Sequence, residues 1–319
     1  MKRISLIITL LLALAGLAGC SSENGALTPQ QAARQSLQNE QLDQEGLQIL
    51  GNYPLPDGKS LVVFSYVPQP EDGKPMTALG YSLLEHGRLG LWREISRGSY
   101  TKEALDLAGE TIDYEIALQP GEVEAVFGRV VEAQVGEVNA VYDDGHQVSD
   151  KNIKDGFVFF ADEGAYPVVL NVIGKDGQVL DTVELKLMES VAMESLTQFF
   201  AELHDGSYTE AAQLYGGSYQ ELADMNTLID PTDYAALWKN ACKVNGFQCL
   251  NVGSIGPKGK TATGEFIFLV EFIDEQGNTF QREPCCGESG SSTQSAFEYR
   301  VKKTQGGQFK VMDMPVYVP

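Results

Sequence analysis

The chain has 319 residues, 43% of them hydrophobic and 21% charged, and a formal net charge of −21 at pH 7. That length admits two domains of roughly 100–200 residues each, and the apolar content is that of a globular chain. A surface this acidic repels phosphate backbones and anionic head groups, which excludes nucleic acid as a partner and excludes charge as a means of holding a membrane.

The chain opens on Met1-Lys2-Arg3, an apolar run from Ile4 to Leu17, and the small residues Ala18-Gly19 before Cys20. A basic start, a short apolar stretch and small residues are the order of an export signal. The run falls short of the roughly 20 apolar residues that span a bilayer, which argues against an uncleaved anchor. Leu17-Ala18-Gly19-Cys20 resembles the lipobox of bacterial lipoproteins. The resemblance implies that residues 1–19 are a removed signal peptide and that Cys20 is acylated and becomes the N-terminus. Lys2 and Arg3 leave with the signal, so 21 basic and 44 acidic side chains remain, a net of −23. The implied location is the cell envelope, with the chain lipid-anchored on the extracytoplasmic side. Ser21 lacks the acidic character tied to inner-membrane retention, which points to the outer membrane in a Gram-negative host. In a single-membrane host it is the outer face of the cell membrane.

Residues 20–45 form the lipidated N-terminus and a tether. Within them Thr28-Pro29-Gln30-Gln31 reads as a helix start, with Thr28 as cap and Pro29 at the first helical position. The Gln- and Glu-rich continuation lacks a strong apolar stripe, so a loosely docked helix and a flexible stalk both fit.

From Leu47 the apolar period becomes two. Strands are expected at 61–67, 77–84, 89–95 and 111–118, with Glu85-His86-Gly87 as a hairpin turn and Pro120-Gly121 as a break. Short strands continue at 123–127, 138–142, 157–160, 168–172 and 179–187. Asp143-Asp144-Gly145 and Lys175-Asp176-Gly177 supply tight turns. This spacing indicates an all-β, sandwich-like region at 46–188, divisible into 46–119 and 120–188. The acidic turns lack the spaced carboxylates of a calcium loop and are read as hairpin chemistry.

Near Ser190 the period becomes helical: Leu196, Phe199, Phe200 and Leu203 share a face, and Gly206 stops the helix. Ser207 to Glu210 and Ser218 to Glu221 have capping-box spacing, and Asp230-Pro231 opens a further helix carrying Tyr234, Leu237, Trp238 and Ala241. Strands follow at 249–256, 262–273, 278–283, 296–303 and 308–318. In Phe266 to Ile273 both faces are apolar apart from Glu271, so the helices are expected on one face, and the β region or another subunit on the other. Helices followed by an antiparallel sheet give an α+β order. The stretch Leu196 to Leu203, then Gly206-Ser207-Tyr208 and the paired Ala211-Ala212, resembles the start of the nuclear transport factor 2-like family. That resemblance implies a cone of helices over a curved sheet at 191–319. Some members carry an Asp–His pair in the cone; His204, at an expected helix end, does not match it.

Catalytic signatures are missing. The three histidines are His86, His146 and His204, and neither G-x-S-x-G, H-E-x-x-H nor a phosphate-cradling Gly-rich motif occurs. Trp92 and Trp238 are read as core. Cys242, Cys249, Cys285 and Cys286 are read as disulfides rather than a zinc site, because the implied compartment is oxidising and adjacent cysteines ligate zinc poorly. Of the three pairings, those joining Cys242 and Cys249 separately to Cys285 and Cys286 are slightly favoured. A Cys242–Cys249 bond competes with them, since seven residues across a helix end close easily. The expected function is a non-enzymatic binding or interaction module. An enzyme using the cone as its pocket and a structural spacer in an envelope complex are the alternatives. The expected partners are the membrane, through lipid on Cys20, and an envelope protein or a small apolar ligand; no cofactor or metal is implied.

Overall fold

The computed structural model describes residues 26–39, 46–68, 75–87, 90–119, 122–151, 153, 156–274, 276–283 and 293–318. Cys20, Cys285, Cys286 and the expected break at Pro120-Gly121 lie outside the described residues. About 46% of residues are in strands and 21% in helices, and the sheets are antiparallel, so the architecture is mixed α and β. The chain divides into two compact units. One holds Met1–Glu115, Phe127–Ala133 and Ile153–Val158, and the other Ile116–Val126, Gln134–Asn152 and Phe159–Pro319.

In the first unit, β1 (Gln48–Pro54), β2 (Ser60–Tyr66), β3 (Met76–His86) and β4 (Trp92–Glu103) form a sheet in that order. Every residue of β2 is buried because both of its faces are covered. Val62, Phe64 and Tyr66 face α1 (Pro29–Asn39), which sets Ala32, Ala33 and Leu37 against them. On β3 Tyr81, itself buried, meets Phe127 edge-on at 5.5 Å. Of the two readings of the N-terminal segment, the docked helix is the one observed. Alanines let the helix approach the sheet closely, which is why its stripe is faint in sequence. Thr28 caps it, its hydroxyl accepting the Gln31 N–H at 3.3 Å. Arg97 holds both Ser36 of the helix, at 2.6 Å, and Glu94 of the sheet, at 2.7 Å.

Asp113 is buried, with its side chain 1% exposed. It pairs with Lys102 at 2.9 Å and Arg129 at 3.1 Å. Lys102 also meets Glu115 at 2.7 Å, and Arg129 donates to the Thr77 hydroxyl at 2.7 Å. Two carboxylates against two cations make the buried charge tolerable. Strands β5 (Ile112–Gln119), β6 (Val123–Val130) and β9 (Phe157–Phe160) form a three-stranded sheet, and each has residues in both units.

In the second unit, β7 (Val135–Tyr142), β8 (Gln147–Asp150), β10 (Pro167–Gly174) and β11 (Val179–Glu184) pair in the order β11-β10-β7-β8. Strand β11 ends at Glu184, short of the expected Leu187, because Leu187 is already the buried first residue of α2 (Leu187–Asp205). That helix stops at Gly206, whose φ of 83° is open to glycine and disfavoured for other residues. The helices α3 (Tyr208–Leu214), α4 (Gln220–Met225) and α5 (Tyr234–Lys243) follow.

Two helix starts differ from expectation. Neither Ser207 nor Ser218 builds a capping box: Ser207 makes no side-chain cap bond, and Ser218, two residues before α4, accepts from the Gln220 N–H at 3.2 Å rather than from the third residue on. Asp230-Pro231 does not open α5. The Asp233 N–H closes a turn on the Asp230 carbonyl at 2.9 Å, a geometry in which Pro suits the second position, and Asp233 then caps α5 through the Ala236 N–H at 3.0 Å.

The final sheet runs β12 (Asn251–Lys260), β13 (Phe266–Ile273), β14 (Ala296–Lys303) and β15 (Phe309–Val311). Helix α2 touches all four strands. Phe200 meets Phe272 at 4.7 Å and Tyr299 at 4.9 Å, both edge-on, which favours the pairs beyond their buried area. Phe266, Phe268, Val270 and Phe272 are buried as expected, but the opposite face is open: Leu269 is 41% exposed. Among the described residues nothing buries Leu269, and its cross-strand neighbours Gly256 and Glu298 shield little of it. Cys242 is bonded to Cys249, with Cα atoms 5.5 Å apart. This overturns the slight preference for cross-links to Cys285 and Cys286. The turn after α5 brings the two positions within bonding reach.

Candidate functional site

The second unit holds a cleft of about 480 Å³ between the start of β6, the loop before β10, helices α2 and α3, and the β14–β15 turn. Strand alternation buries Val123 and Ala125 and turns Glu124 to the other face, toward the cleft. Helix α2 presents Glu194, Ser195 and Gln198 from consecutive turns. Gly164 and Gly307, with φ of 83° and 80°, bring two loops into backbone contact. A Cβ on Gly307 would lie 2.2 Å from the Gly164 Cα, so no side chain fits between them.

Tyr166 is the centre of the site. Its hydroxyl lies between the Glu124 carboxyl and the Gly307 carbonyl, 3.4 Å from the latter. Its ring meets Phe309 edge-on at 5.5 Å, and the Lys303 ammonium sits 4.9 Å from the ring centroid. Lys303 is itself paired with Asp143. Burial raises the Glu124 pKa, and the bond from Tyr166 offsets part of that rise. Burial, then the Glu124 charge, push the Tyr166 phenol well above its usual range. Tyr166 is therefore a neutral hydrogen-bonding group at any physiological pH.

Two further polar side chains of the cleft are held by backbone carbonyls. Ser195 donates to the Val191 carbonyl at 3.0 Å, and Lys310 donates to the Gln213 carbonyl. No histidine is among the residues lining the cleft. The His86 ring lies tilted against Trp92 with centroids 3.9 Å apart, His146 is bonded to Asp144 at 2.6 Å, and His204 meets the Cys249 carbonyl at 3.2 Å. A nucleophile–base pair has no geometric basis here. Asp143 and Asp144 are engaged by Lys303 and His146, leaving little to bind an ion. Among the described residues no cluster of metal-ligating groups occurs and no helix is long and apolar enough to cross a membrane. A broader, more open hollow lies beside α4, but its Arg300 is already held by Asp313 at 2.5 Å.

Of the sequence-selected residues, the structure joins Cys242 to Cys249 and fully buries Trp238, whose indole N–H donates to Tyr219 at 3.1 Å. Trp92 is only half-buried. Glu124 and Tyr166 escaped the sequence reading because each looks like an ordinary strand residue and they are 42 positions apart. The glycines at 164 and 306–307 were the available signal. In comparison with known proteins, the chain matches no family model, no curated protein and no solved structure.

Proposed function

We propose that the protein is a lipid-anchored, extracytoplasmic binding module whose ligand sits in the Glu124–Tyr166 cleft. The observation that favours binding over catalysis is that the Ser195 hydroxyl and the Lys310 ammonium of that cleft are both held by backbone carbonyls. What remains is a set of hydrogen-bonding groups, Glu124, Tyr166, Gln198 and Gln213, around a modest apolar floor, which suits a small hydrogen-bonding ligand better than a purely apolar one. The Leu17-to-Cys20 lipobox supports the anchor, and the Cys242–Cys249 bond accords with an oxidising compartment. Helices preceding an antiparallel sheet, with α2 against all four strands, support the nuclear transport factor 2-like reading. The aromatic filling between α2 and that sheet supports a closed cone, and the sheets of the first unit support the sandwich-like reading. An enzymatic role would rest on the two carboxylates of the cleft, Glu124 and Glu194.

The test is native purification of the mature protein from its membranes, followed by identification of bound small molecules. The expected result is a ligand retained by the wild type and lost in Glu124→Gln and Gln198→Ala. Retention by both variants would remove the cleft from consideration.

A further inference from the structure

Five residues, Ser21 to Gly25, separate Cys20 from Ala26. Six fully extended peptide steps reach about 20 Å at most. Ala26 is fixed to the body of the first unit. Its N–H donates to the Trp92 carbonyl at 3.1 Å, its carbonyl accepts the Trp92 N–H at 2.8 Å, and its side chain packs with Ala32, Ala33, Val62 and Leu84. Cys20 therefore cannot lie farther than the reach of this strap from Ala26 while Ala26 stays docked.

Resting on the lipid-anchored reading above, we propose that the end of the first sheet where Ala26, Leu27 and Trp92 meet is a membrane-apposed face, seated on the lipid head groups. An acylated Cys20 sits at head-group depth, and the head-group layer is itself about 5–8 Å thick on each side. The strap holds the face within about 20 Å of that layer. What the face displays suits contact. Leu27 follows Ala26 and is 79% exposed. Trp92 is half-buried, with one side of its ring against His86. Arg93 is exposed, its guanidinium 2.5 Å from Glu85. An aliphatic side chain, an amphipathic aromatic and an arginine favour the interface between water and lipid. The net charge of −23 disfavours anionic lipid, so the surface it fits is zwitterionic.

The experiment uses the mature protein extracted from membranes and reconstituted in phosphatidylcholine vesicles, with or without brominated acyl chains. Trp238 is fully buried and out of reach, so lipid-dependent quenching reports Trp92. The expected result is weaker emission in brominated vesicles. That loss should be absent in Trp92→Phe, and absent again when about twenty Gly and Ser residues are inserted between Gly25 and Ala26. Partition into a detergent phase reports the anchor separately. Protein that partitions into detergent but shows no quenching overturns the docked face and leaves the anchor standing. Undiminished quenching in the insertion variant also overturns it, since the strap would not be the cause. Failure to enter the detergent phase removes the anchor, and the docked face with it.

Discussion

Two residues set the energetics of their surroundings. Asp113 is the acceptor on which Lys102 and Arg129 converge in the first unit. Asp113→Ala leaves Arg129 without its carboxylate, while Lys102 keeps Glu115. Breaking a buried pair from one side costs about 3–5 kcal/mol, and the partial exposure of Lys102 points to the lower end. Urea unfolding followed by Trp92 emission should show a midpoint shift of that order; a shift near zero would mean the cluster is no stronger than a surface pair. Glu124 carries a pH dependence of opposite sign to an ordinary paired carboxylate. Its folded pKa is raised by burial, so the folded state holds the proton more tightly than the unfolded state. That contribution is full below the unfolded value of about 4.3 and is lost as pH rises through the folded value. Glu124→Gln should therefore be more thermally stable than wild type at pH 7, with the difference vanishing in acid. A variant less stable at neutral pH would show that the carboxylate is held by partners rather than strained by burial.

At the scale of elements, α1 and the α5–β12 turn are where packing decides. Leu37 is 2% exposed among Phe64, Tyr66 and Ala78. Leu37→Ala should cost about 2–3 kcal/mol and open the N-terminal segment to proteolysis near residues 26–39. Replacing both Cys242 and Cys249 with serine should destabilise the second unit by about 2–3 kcal/mol, the cost of releasing a seven-residue closure in the unfolded chain. Reduction of the wild type should give the same shift in a thermal melt, and no shift would mean that the bond constrains nothing. Elements with strong periodicity were legible: β14 falls at 296–303 as its alternation predicts, and the apolar face and Gly stop of α2 are where the sequence puts them. What was illegible depends on contacts between distant residues. The alanine stripe of α1 carries little hydrophobic signal. The cap of α5 was expected at Asp230, and it is the turn closed by the Asp233 N–H on the Asp230 carbonyl that moves it to Asp233. The contacts of Tyr166 with Glu124 and Gly307 need three segments to be brought together, the last of them 141 residues beyond the second.

At the scale of the whole molecule, the sequence marks out continuous segments, whereas the compact units interleave, with 127–133 and 153–158 returning to the first unit. Alternation cannot reveal this, because it reports which face of a strand is buried and not against which partner. The proposed function is that of a tethered module outside the cytoplasm, and with so acidic a surface the proposal makes lipid the means of attachment. The most direct measurement is the mass of the N-terminal peptide from protein isolated with its membranes. The expected result is a chain beginning at Cys20 and carrying acyl groups, with none beginning at Met1. A chain that retains residues 1–19, or one that begins elsewhere with an unmodified Cys20, would contradict it.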